Sequence, residues 1–453
     1  MLQAQDIGVH IFNTKISSLF WADDVVLIAD SERDLERMLS IAGDFSKDWK
    51  LDFNYEKSNI IVVGKRTNKL KLWPLCDRHI TEVDSYKYLG FQISRNHSDH
   101  THANCVIRKG NRLIGYIKSI INGQDGFNRV YYGNIMWKTL ALPSINYACA
   151  VSAYSASDYK KLENLQFQMA RSILKAPRHT PLMSLLGDLG WDSIENTHNE
   201  SKVKYFDRLV KLEAHRWPKL LLSALFHFND NAVQLIRWKW LDSVKRVLIN
   251  TGLDHIFSID LPANPLWFKL FKCINREQCN NDWYINACSK SSLCDYVNFK
   301  WEPKLESYLL DKLDFYGVNL KFKARSNTLQ LDAKVSIWDT NNSGVCSLCN
   351  DGIEDVRHFL FICHGLREVR LDELRTLERK LHDSGLLSVW NVFKLNNIDV
   401  NLYLMLGGNC SQLIPMLPSS LADVAHVIFD GVCKAYLKRA WRVRSSIKSS
   451  PLT

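Results

Sequence analysis

The stretch Phe20-Trp21-Ala22-Asp23-Asp24-Val25-Val26-Leu27-Ile28-Ala29 decides how the amino-terminal part of the chain folds. The apolar run to which it belongs begins at Ile16 and is broken only by Ser17-Ser18 and by Asp23-Asp24. Short apolar segments on either side of a polar pair predict two strands joined by a tight turn. Two adjacent carboxylates at such a turn repel each other and favour a bound metal ion, although Asp is also common in ordinary solvated turns.

A helix is predicted directly after this hairpin. Ser31 and Asp34 form a capping box, which marks a helix start. The apolar residues that follow at helical spacing are Leu35, Met38, Leu39, Ala42, Phe45 and Trp49. Further strand segments are predicted at residues 60–63 and 86–91. Residues 1–98 therefore read as strand, turn, strand, helix, strand, strand.

Three motifs in this region, taken together, resemble the reverse transcriptases of non-LTR (LINE-type) retrotransposons. Residues 20–29 resemble the hairpin in which Tyr or Phe precedes Ala-Asp-Asp, although Trp21 stands at the aromatic position. Residues 51–58 are similar to the next motif, in which two residues separate an Asn from a Lys. Residues 86–90, Tyr-Lys-Tyr-Leu-Gly, look like the motif that grips the primer. The order and the gaps make the set far more specific than any single motif.

The resemblance implies a role for each matching residue. Asp23 would be a catalytic Mg²⁺ ligand, with Asp24 as the second carboxylate of the pair. In this chemistry carboxylates hold two Mg²⁺ ions that activate the attacking 3′-hydroxyl and stabilise the leaving pyrophosphate. Lys57 would stabilise charge, or act as a general acid, near the phosphates of the incoming nucleotide. The primer grip would comprise Tyr88, Leu89 and Gly90.

The same residues also have ordinary structural interpretations. Lys57 can be a surface lysine after a turn, and Tyr88 and Leu89 can be core residues, since their mixed aromatic and apolar character fits either role. Trp21 is bulkier than the usual Tyr or Phe, so it can crowd the nascent strand or be neutral drift. The sequence alone leaves these alternatives open.

The implied chemistry needs parts that the family places upstream of the hairpin: a third carboxylate, a nucleotide-binding segment and basic fingers. Asp6 is the one acidic residue before Asp23, and residues 8–11 leave too little chain for a separate palm strand with its crossover. We therefore expect a truncated polymerase that does not extend a primer by itself.

From about residue 100 the pattern becomes helical. One helix is marked by Ile107, Leu113, Ile114, Ile117 and Ile121. A second is marked by Tyr159, Leu162, Gln166, Met169 and Ile173, and is ended by Pro177. In the family the thumb lies here, and its candidate phosphate-binding residues are Arg108, Arg112 and Lys118. An ordinary amphipathic bundle with solvated charges is the alternative.

A second chemical motif lies near the carboxyl end: Cys346, Cys349, His358 and Cys363, in the spacing C-x2-C-x8-H-x4-C. Two cysteines separated by two residues, followed by His and Cys on a short helix, predict a closed tetrahedral Zn²⁺ site with a structural role. Gly352 would allow the chain reversal, and His364 is the rival fourth ligand. The arrangement resembles the zinc knuckle downstream of the polymerase in non-LTR elements, where it implies RNA or target-DNA binding. Its position argues against LTR-element and telomerase relatives.

Composition adds weaker indications. The net charge of +10 and the pI near 8.9 favour an acidic polymer as partner, and the tail candidates are Arg439, Trp441 and Arg442. No segment reaches the roughly 20 apolar residues of a membrane span. Twelve scattered cysteines favour a reducing intracellular compartment, and a DNA target implies the nucleus, the cytoplasm or both.

The sequence thus predicts an α+β chain whose partial reverse-transcriptase palm, an antiparallel hairpin plus a helix, is followed by helical regions. The predicted domains are palm 1–98, thumb 99–180, helical connector 181–340, zinc knuckle 341–370 and basic helical region 371–453. The function that the resemblance implies is RNA-directed DNA synthesis in target-primed reverse transcription, with an RNA template and a DNA target or primer as partners. The alternative is a non-catalytic RNA- or DNA-binding protein that uses thumb, knuckle and tail. A wholly unrelated helical zinc protein would leave the palm motifs unexplained.

Overall fold

The computed structural model describes residues 7–11, 14–64, 71–122, 128–230, 238–258, 266–395, 397–414 and 416–449. Its strands are β1 (Val9–Ile11), β2 (Thr14–Ile16), β3 (Ser18–Trp21), β4 (Asp24–Leu27), β5 (Asn59–Ile60), β6 (Leu72–Leu75), β7 (Arg78–Glu82), β8 (Ser85–Tyr88) and β9 (Phe91–Ser94). β1–β2, β3–β4 and β8–β9 are antiparallel pairs. β7 lies between β5, which is parallel to it, and β6, which is antiparallel.

The first helices are α1 (Glu32–Trp49), α2 (His100–Asn122), α3 (Arg129–Met136), α4 (Leu142–Ile145), α5 (Ala156–Leu174), α6 (Leu182–Leu189), α7 (Ile194–Val210), α8 (Trp217–Asp230) and α9 (Lys239–Asn250). The later ones are α10 (Trp267–Cys288), α11 (Tyr296–Phe299), α12 (Phe315–Arg325), α13 (Asp332–Val335), α14 (Arg367–Asp383), α15 (Leu387–Lys394), α16 (Ile398–Leu406), α17 (Cys410–Leu413) and α18 (Ser419–Ser449). Strands are thus confined to the amino-terminal part of the described chain, and the predicted α+β class is confirmed.

The predicted order of elements around the acidic turn is confirmed. β3 and β4 form the hairpin, and α1 follows with Ser31 as its N-cap, whose hydroxyl accepts a 3.1 Å hydrogen bond from the Asp34 amide. A small apolar core joins these elements to the next strands. Its buried members are Leu39, Ile60, Trp73, Leu75 and Ile80. Leu27 at the base of the hairpin packs against the same core.

Four details differ from the sequence prediction. The segment 86–91, predicted as one strand, is divided by the Leu89–Gly90 turn into the antiparallel strands β8 and β9. Val9–Ile11 does form a strand, because a hairpin to β2 needs only a few residues where a crossover would need many. The strand expected at 60–63 stops at Ile60, where β7 ends and no partner remains. The β6–β7 hairpin was missed because Pro74 argues against a strand, but β6 is an edge strand and tolerates it.

The two helices predicted between residues 100 and 180 are confirmed as α2 and α5. On α5 the apolar face is buried as its spacing predicts, with Leu162, Met169 and Ile173 fully enclosed. The break predicted near Pro262–Pro265, like the upstream acid Asp6, lies outside the described residues.

The chain forms two compact units. Unit 1 contains residues 1–109, 145–161 and 197–273, and unit 2 contains residues 110–144, 162–196 and 274–453. Within the described residues no helix is long and apolar enough to cross a membrane.

Unit 2 is built around a large apolar core to which α12, α14, α16 and α18 contribute. It also buries a charged pair. The Arg325 guanidinium donates two 2.9 Å hydrogen bonds to the two carboxylate oxygens of Asp188, and Tyr296 and Tyr308 donate one each to the same oxygens. Burial alone would raise the pKa of Asp188, but the Arg325 charge holds it below its usual value. Each of the two carboxylate oxygens of Asp188 therefore accepts two hydrogen bonds, which offsets the cost of burying the carboxylate.

Candidate functional site

The acidic hairpin ends in a two-residue turn. Trp21 pairs with Asp24, so Ala22 and Asp23 form the loop, and Ala22 takes the left-handed φ of 54°. Two-residue hairpin loops require positive φ because only then does the turn match the strand twist. The side chains of Asp23 and Asp24 are both exposed at this tip. Two carboxylates that are adjacent in the chain are thus open to solvent, and carboxylate oxygens are the ligands that Mg²⁺ prefers.

The register of the hairpin sets which way these groups face. Cross-strand partners share a face, so Phe20 and Val25 lie on the side of Leu27, which packs on the core. Trp21 and Asp24 lie on the other side, and the Trp21 side chain is 66% exposed. The bulky indole therefore flanks Asp24 on the open face.

The Lys57 segment is a turn held by Asn54. The Asn54 side-chain oxygen accepts a 3.1 Å hydrogen bond from the Lys57 amide, and its carbonyl accepts one of 3.0 Å from Ser58. The Tyr86 hydroxyl donates a 2.7 Å hydrogen bond to the Lys57 carbonyl. The structure thus brings together two of the three sequence motifs, while the Lys57 side chain stays exposed.

The predicted primer grip is the tip of the β8–β9 hairpin. Leu89 and Gly90 form its two-residue turn with φ of 45° and 82°, which is the pattern of a type I′ turn. The Tyr147 hydroxyl donates a 2.5 Å hydrogen bond to the Leu89 carbonyl. A Cβ on Gly90 would lie 2.7 Å from the Tyr147 ring. Gly90 therefore permits a close approach by Tyr147, a contact that sequence reasoning missed.

The comparison with protein families agrees with this geometry. Residues 4–93 match the family described as reverse transcriptase (RNA-dependent DNA polymerase). The matched range contains the acidic hairpin, the Lys57 turn and the Tyr88–Gly90 tip. Residues 4–93 are therefore similar to reverse transcriptases. Among curated proteins, no relative matches the chain.

After the segment that matches this family comes α2, the first helix of the predicted thumb. Arg108 and Arg112 are exposed on it, whereas Lys118 is half-buried. The Arg108 guanidinium donates a 3.1 Å hydrogen bond to the Cys105 sulfur. The two arginines are therefore accessible to a phosphate, and Lys118 is less so.

The Cys-His motif forms a compact cluster in unit 2. In the sequence it lies far from the segment that matches the reverse-transcriptase family. The ligand atoms of Cys346, Cys349, His358 and Cys363 all lie within 4.8 Å of one another. The Cys346 and Cys363 sulfurs are 3.8 Å apart, and the Cys349 sulfur lies 3.3 Å from His358 Nε2. These separations suit four ligands around a single ion, and three thiols with one imidazole is a donor set that Zn²⁺ prefers. In the described residues no other group of this kind occurs.

The backbone explains how the spacing produces this cluster. Val345 bridges Ile353, and the reversal between them uses Gly352, whose φ is 72°. The Cys346 amide donates a 2.9 Å hydrogen bond to the Gly352 carbonyl, which closes the first loop. His358 begins a single helical turn that ends before Cys363. His364, the rival ligand, is 73% exposed and faces Asp351 at 3.8 Å.

The environment of the cluster disfavours free thiolates. Burial raises the pKa of the Cys346 thiol to about 12 and raises that of Cys363 as well. Burial also lowers the pKa of His358, which keeps the imidazole neutral. A neutral imidazole is already a competent ligand, whereas the thiols need a cation to replace their protons.

The three tail candidates differ in their surroundings on α18. The Arg439 guanidinium donates hydrogen bonds of 2.8 Å to Glu373 and 2.9 Å to Asp372. The Trp441 ring is half-buried, 6.2 Å from the ring of Phe359. Arg442 is exposed. Trp441 therefore packs beside Phe359, which lies between His358 and Cys363 in the chain, whereas Arg439 is already paired with two acids.

Proposed function

We propose that this chain is the carboxy-terminal part of a non-LTR retrotransposon reverse transcriptase that acts in target-primed reverse transcription. Its partners are an RNA template and a DNA target or primer, and its residence is nuclear, cytoplasmic or both. The observation that carries the proposal is the exposed Asp23-Asp24 pair at a strand-to-strand turn, in one unit with the Lys57 turn and the Leu89-Gly90 tip. A metal-ion polymerase needs this kind of open carboxylate pair.

In this proposal each residue acts on the growing strand. The carboxylates of Asp23 and Asp24 would hold Mg²⁺, which supplies the charge that activates a 3′-hydroxyl and stabilises the leaving pyrophosphate. Lys57 stabilises the phosphates of the incoming nucleotide through its exposed ammonium. Tyr88, Leu89 and Gly90 support the primer end through the rigid turn that Tyr147 fixes.

The aspartate pair does not make a complete metal centre on its own. Among the described residues, no third carboxylate, His or Cys lies within metal-binding distance of Asp23 and Asp24. Two Mg²⁺ ions need near-octahedral oxygen coordination, which two carboxylates supply only in part. The proposal therefore includes a further carboxylate from outside the described residues, and it expects residues 1–453 alone not to extend a primer.

The Cys-His cluster has a structural role in the proposal. Four protein ligands leave no open position, so Zn²⁺ would fix the loop rather than catalyse a reaction. As a zinc knuckle it would help unit 2 to hold RNA or target DNA.

A non-catalytic nucleic-acid-binding protein remains the second candidate, because the Cys-His cluster is complete while the aspartate pair has no third ligand in the described part of the chain. The two candidates differ in the effect of Asp23→Ala and Cys346→Ser on RNA affinity. Under the second candidate the affinity is unchanged by Asp23→Ala and lost in Cys346→Ser.

Cation binding at the hairpin can be measured directly on this chain. Fe²⁺ substituted for Mg²⁺ reduces added hydrogen peroxide to hydroxide and a hydroxyl radical, and ascorbate regenerates the Fe²⁺, so we expect backbone cleavage around residues 20–27 that Mg²⁺ suppresses. Asp23→Ala with Asp24→Ala should abolish the cleavage, whereas Asp44→Ala on the neighbouring helix serves as control. Absence of cleavage at the hairpin would refute the metal site. Templated synthesis by the chain alone, abolished by Asp23→Ala, would contradict the expected inactivity of residues 1–453.

A further inference from the structure

Most cations of the carboxy-terminal helix are already neutralised within unit 2. Each of five cations on α18 forms an ion pair with an acid from another element. These pairs are Lys434 with Asp311, Lys438 with Asp314, Arg439 with Glu373, Arg444 with Glu354 and Lys448 with Asp332. A phosphate would have to displace a carboxylate at each of them. The basic sequence of the tail is therefore a weak guide to where unit 2 contacts an anion.

Three other cations of unit 2 have no acidic partner among the described residues: Arg129, Lys175 and Lys323. Two of them lie over Phe315, with the Arg129 guanidinium 5.5 Å and the Lys175 ammonium 5.4 Å from the centre of its ring. Arg129 is only 7% exposed, and its Nε atom is buried without a hydrogen-bond partner. Positive charges held together and partly desolvated favour binding of an anion.

The pKa values of Lys323 and Arg129 reflect the same desolvation and repulsion. Burial lowers the pKa of Lys323, and the nearby charge of Lys175 lowers it further. Burial also lowers the pKa of Arg129. An anion at this point would relieve both effects, because it would replace lost hydration and offset the mutual repulsion.

A cavity of about 100 Å³ opens beside one of these cations, Lys323. Its aromatic walls are Tyr316 and Trp441, Lys323 lies in its lining, and polar groups come from Asn319, Thr328 and Gln330. Tyr316 is 44% exposed, so the mouth is accessible from solvent. Aromatic faces next to cations and amide groups are the elements with which proteins bind single-stranded nucleic acid.

We propose that this cavity, together with Lys175 and Lys323, is a binding site for one nucleotide of a single-stranded nucleic acid. The edge of the base enters between Tyr316 and Trp441, and the adjoining phosphate is held by the two lysines. A single strand is required because a paired base is not free to leave its stack. The inference rests on the proposed function, in that nucleic acid is the partner of the chain, but it places the contact at the cavity instead of along the paired cations of α18.

The test uses the full chain and a fluorescent 12-nucleotide RNA without secondary structure, with affinity measured by anisotropy at several salt concentrations. Tyr316→Ala should weaken binding about 10-fold through lost stacking. The double variant Lys175→Gln, Lys323→Gln should weaken it at least as much and lower the salt slope by about 0.7, which is the contribution of one neutralised phosphate on a single strand. The charge-matched control is Arg379→Gln with Lys380→Gln, two exposed cations of α14, and it should remain within about 2-fold of wild type.

A second readout locates the base. RNA carrying 5-iodouridine should crosslink under ultraviolet light to Tyr316 or Trp441, as identified by mass spectrometry. Binding by wild type that neither cavity variant weakens, or crosslinks confined to other parts of the chain, would overturn the inference and leave the nucleic-acid partner in place. If the wild-type chain does not bind RNA, both the inference about the cavity and the proposed nucleic-acid partner are overturned. Displacement of the RNA by an acidic peptide at equal charge concentration would show that the site selects negative charge alone, and would also overturn it.

Discussion

The Arg444 guanidinium donates two hydrogen bonds of 2.7 Å to the carboxylate of Glu354, a residue 90 positions earlier in the chain. Both side chains are buried, with 5% and 0% of their surface exposed. Glu354 also accepts a 2.7 Å hydrogen bond from the Asp332 amide, and it lies between the two halves of the Cys-His motif. The pair therefore attaches the loop that carries the candidate metal ligands to the last helix.

Breaking this pair should destabilise unit 2. Arg444→Met leaves the Glu354 carboxylate buried without its cation, which typically costs about 3–5 kcal/mol. We expect a lower Tm and faster hydrogen exchange in residues 344–354. Arg442→Met, an exposed neighbour on the same helix, should change neither. Equal exchange rates in the Arg444 variant and wild type would show that the pair does not hold the loop.

The Cys-His cluster should retain one zinc ion per chain. Cys346→Ser removes a buried thiolate ligand, so the purified variant should contain no stoichiometric zinc by mass spectrometry and should melt earlier. Cys294→Ser, at an exposed cysteine outside the cluster, and His364→Gln should both retain the metal. Loss of zinc in His364→Gln would instead make His364 a ligand.

Local patterns of the sequence predicted local structure well. The polar pair in an apolar run predicted the β3–β4 hairpin, and Ser31 with Asp34 predicted the start of α1. The spacing of the Cys-His motif predicted a cluster that the structure brings within 4.8 Å. In each case the residues that interact are close in sequence, so the turn or helix geometry alone sets their separation.

Contacts between distant segments could not be predicted in this way. Nothing near Arg444 in the sequence indicates that its partner is Glu354. The basic composition of the tail instead suggested phosphate contacts, because unpaired and paired cations look alike in a sequence. The contact of Tyr147 with the Leu89 carbonyl was missed for the same reason. The strand at Leu72–Leu75 was missed because Pro74 is tolerated in an edge strand but not in a central one. Which position a strand takes is decided only when the sheet is assembled.

The tip of the β8–β9 hairpin should be sensitive to added volume. Gly90→Ala places a Cβ 2.7 Å from the Tyr147 ring at a φ of 82°, so we expect a loss of about 1–3 kcal/mol in the free energy of unfolding of unit 1. Tyr147→Phe removes only the hydroxyl, which should cost about 1 kcal/mol. Urea denaturation followed by circular dichroism measures both. If the double variant Gly90→Ala, Tyr147→Ala is no more stable than Gly90→Ala alone, the steric explanation is wrong.

Acid should destabilise unit 1 through His198. This imidazole is fully buried, with ring centres of Tyr154 and Tyr159 within 5.8 Å, and its Nε2 atom lies 3.1 Å from the Asn146 side-chain oxygen. Burial, and secondarily the charge of Lys202, lowers the pKa of His198 to about 3.

The direction of the pH effect follows from the difference between the pKa of His198 in the folded chain and its pKa in the unfolded chain. The unfolded chain binds a proton at His198 near pH 6.5, whereas the folded chain does so only near pH 3. The stabilisation is therefore complete above about pH 6.5 and is lost as the pH falls, by at most about 1.4 kcal/mol per pH unit. His198→Gln keeps a donor for Asn146 but cannot be protonated, so its urea midpoint should fall less steeply between pH 6.5 and pH 4. His215 is exposed, so in the His215→Gln variant the urea midpoint should change with pH as it does in wild type. If His198→Gln keeps that slope too, protonation of His198 does not drive the acid transition.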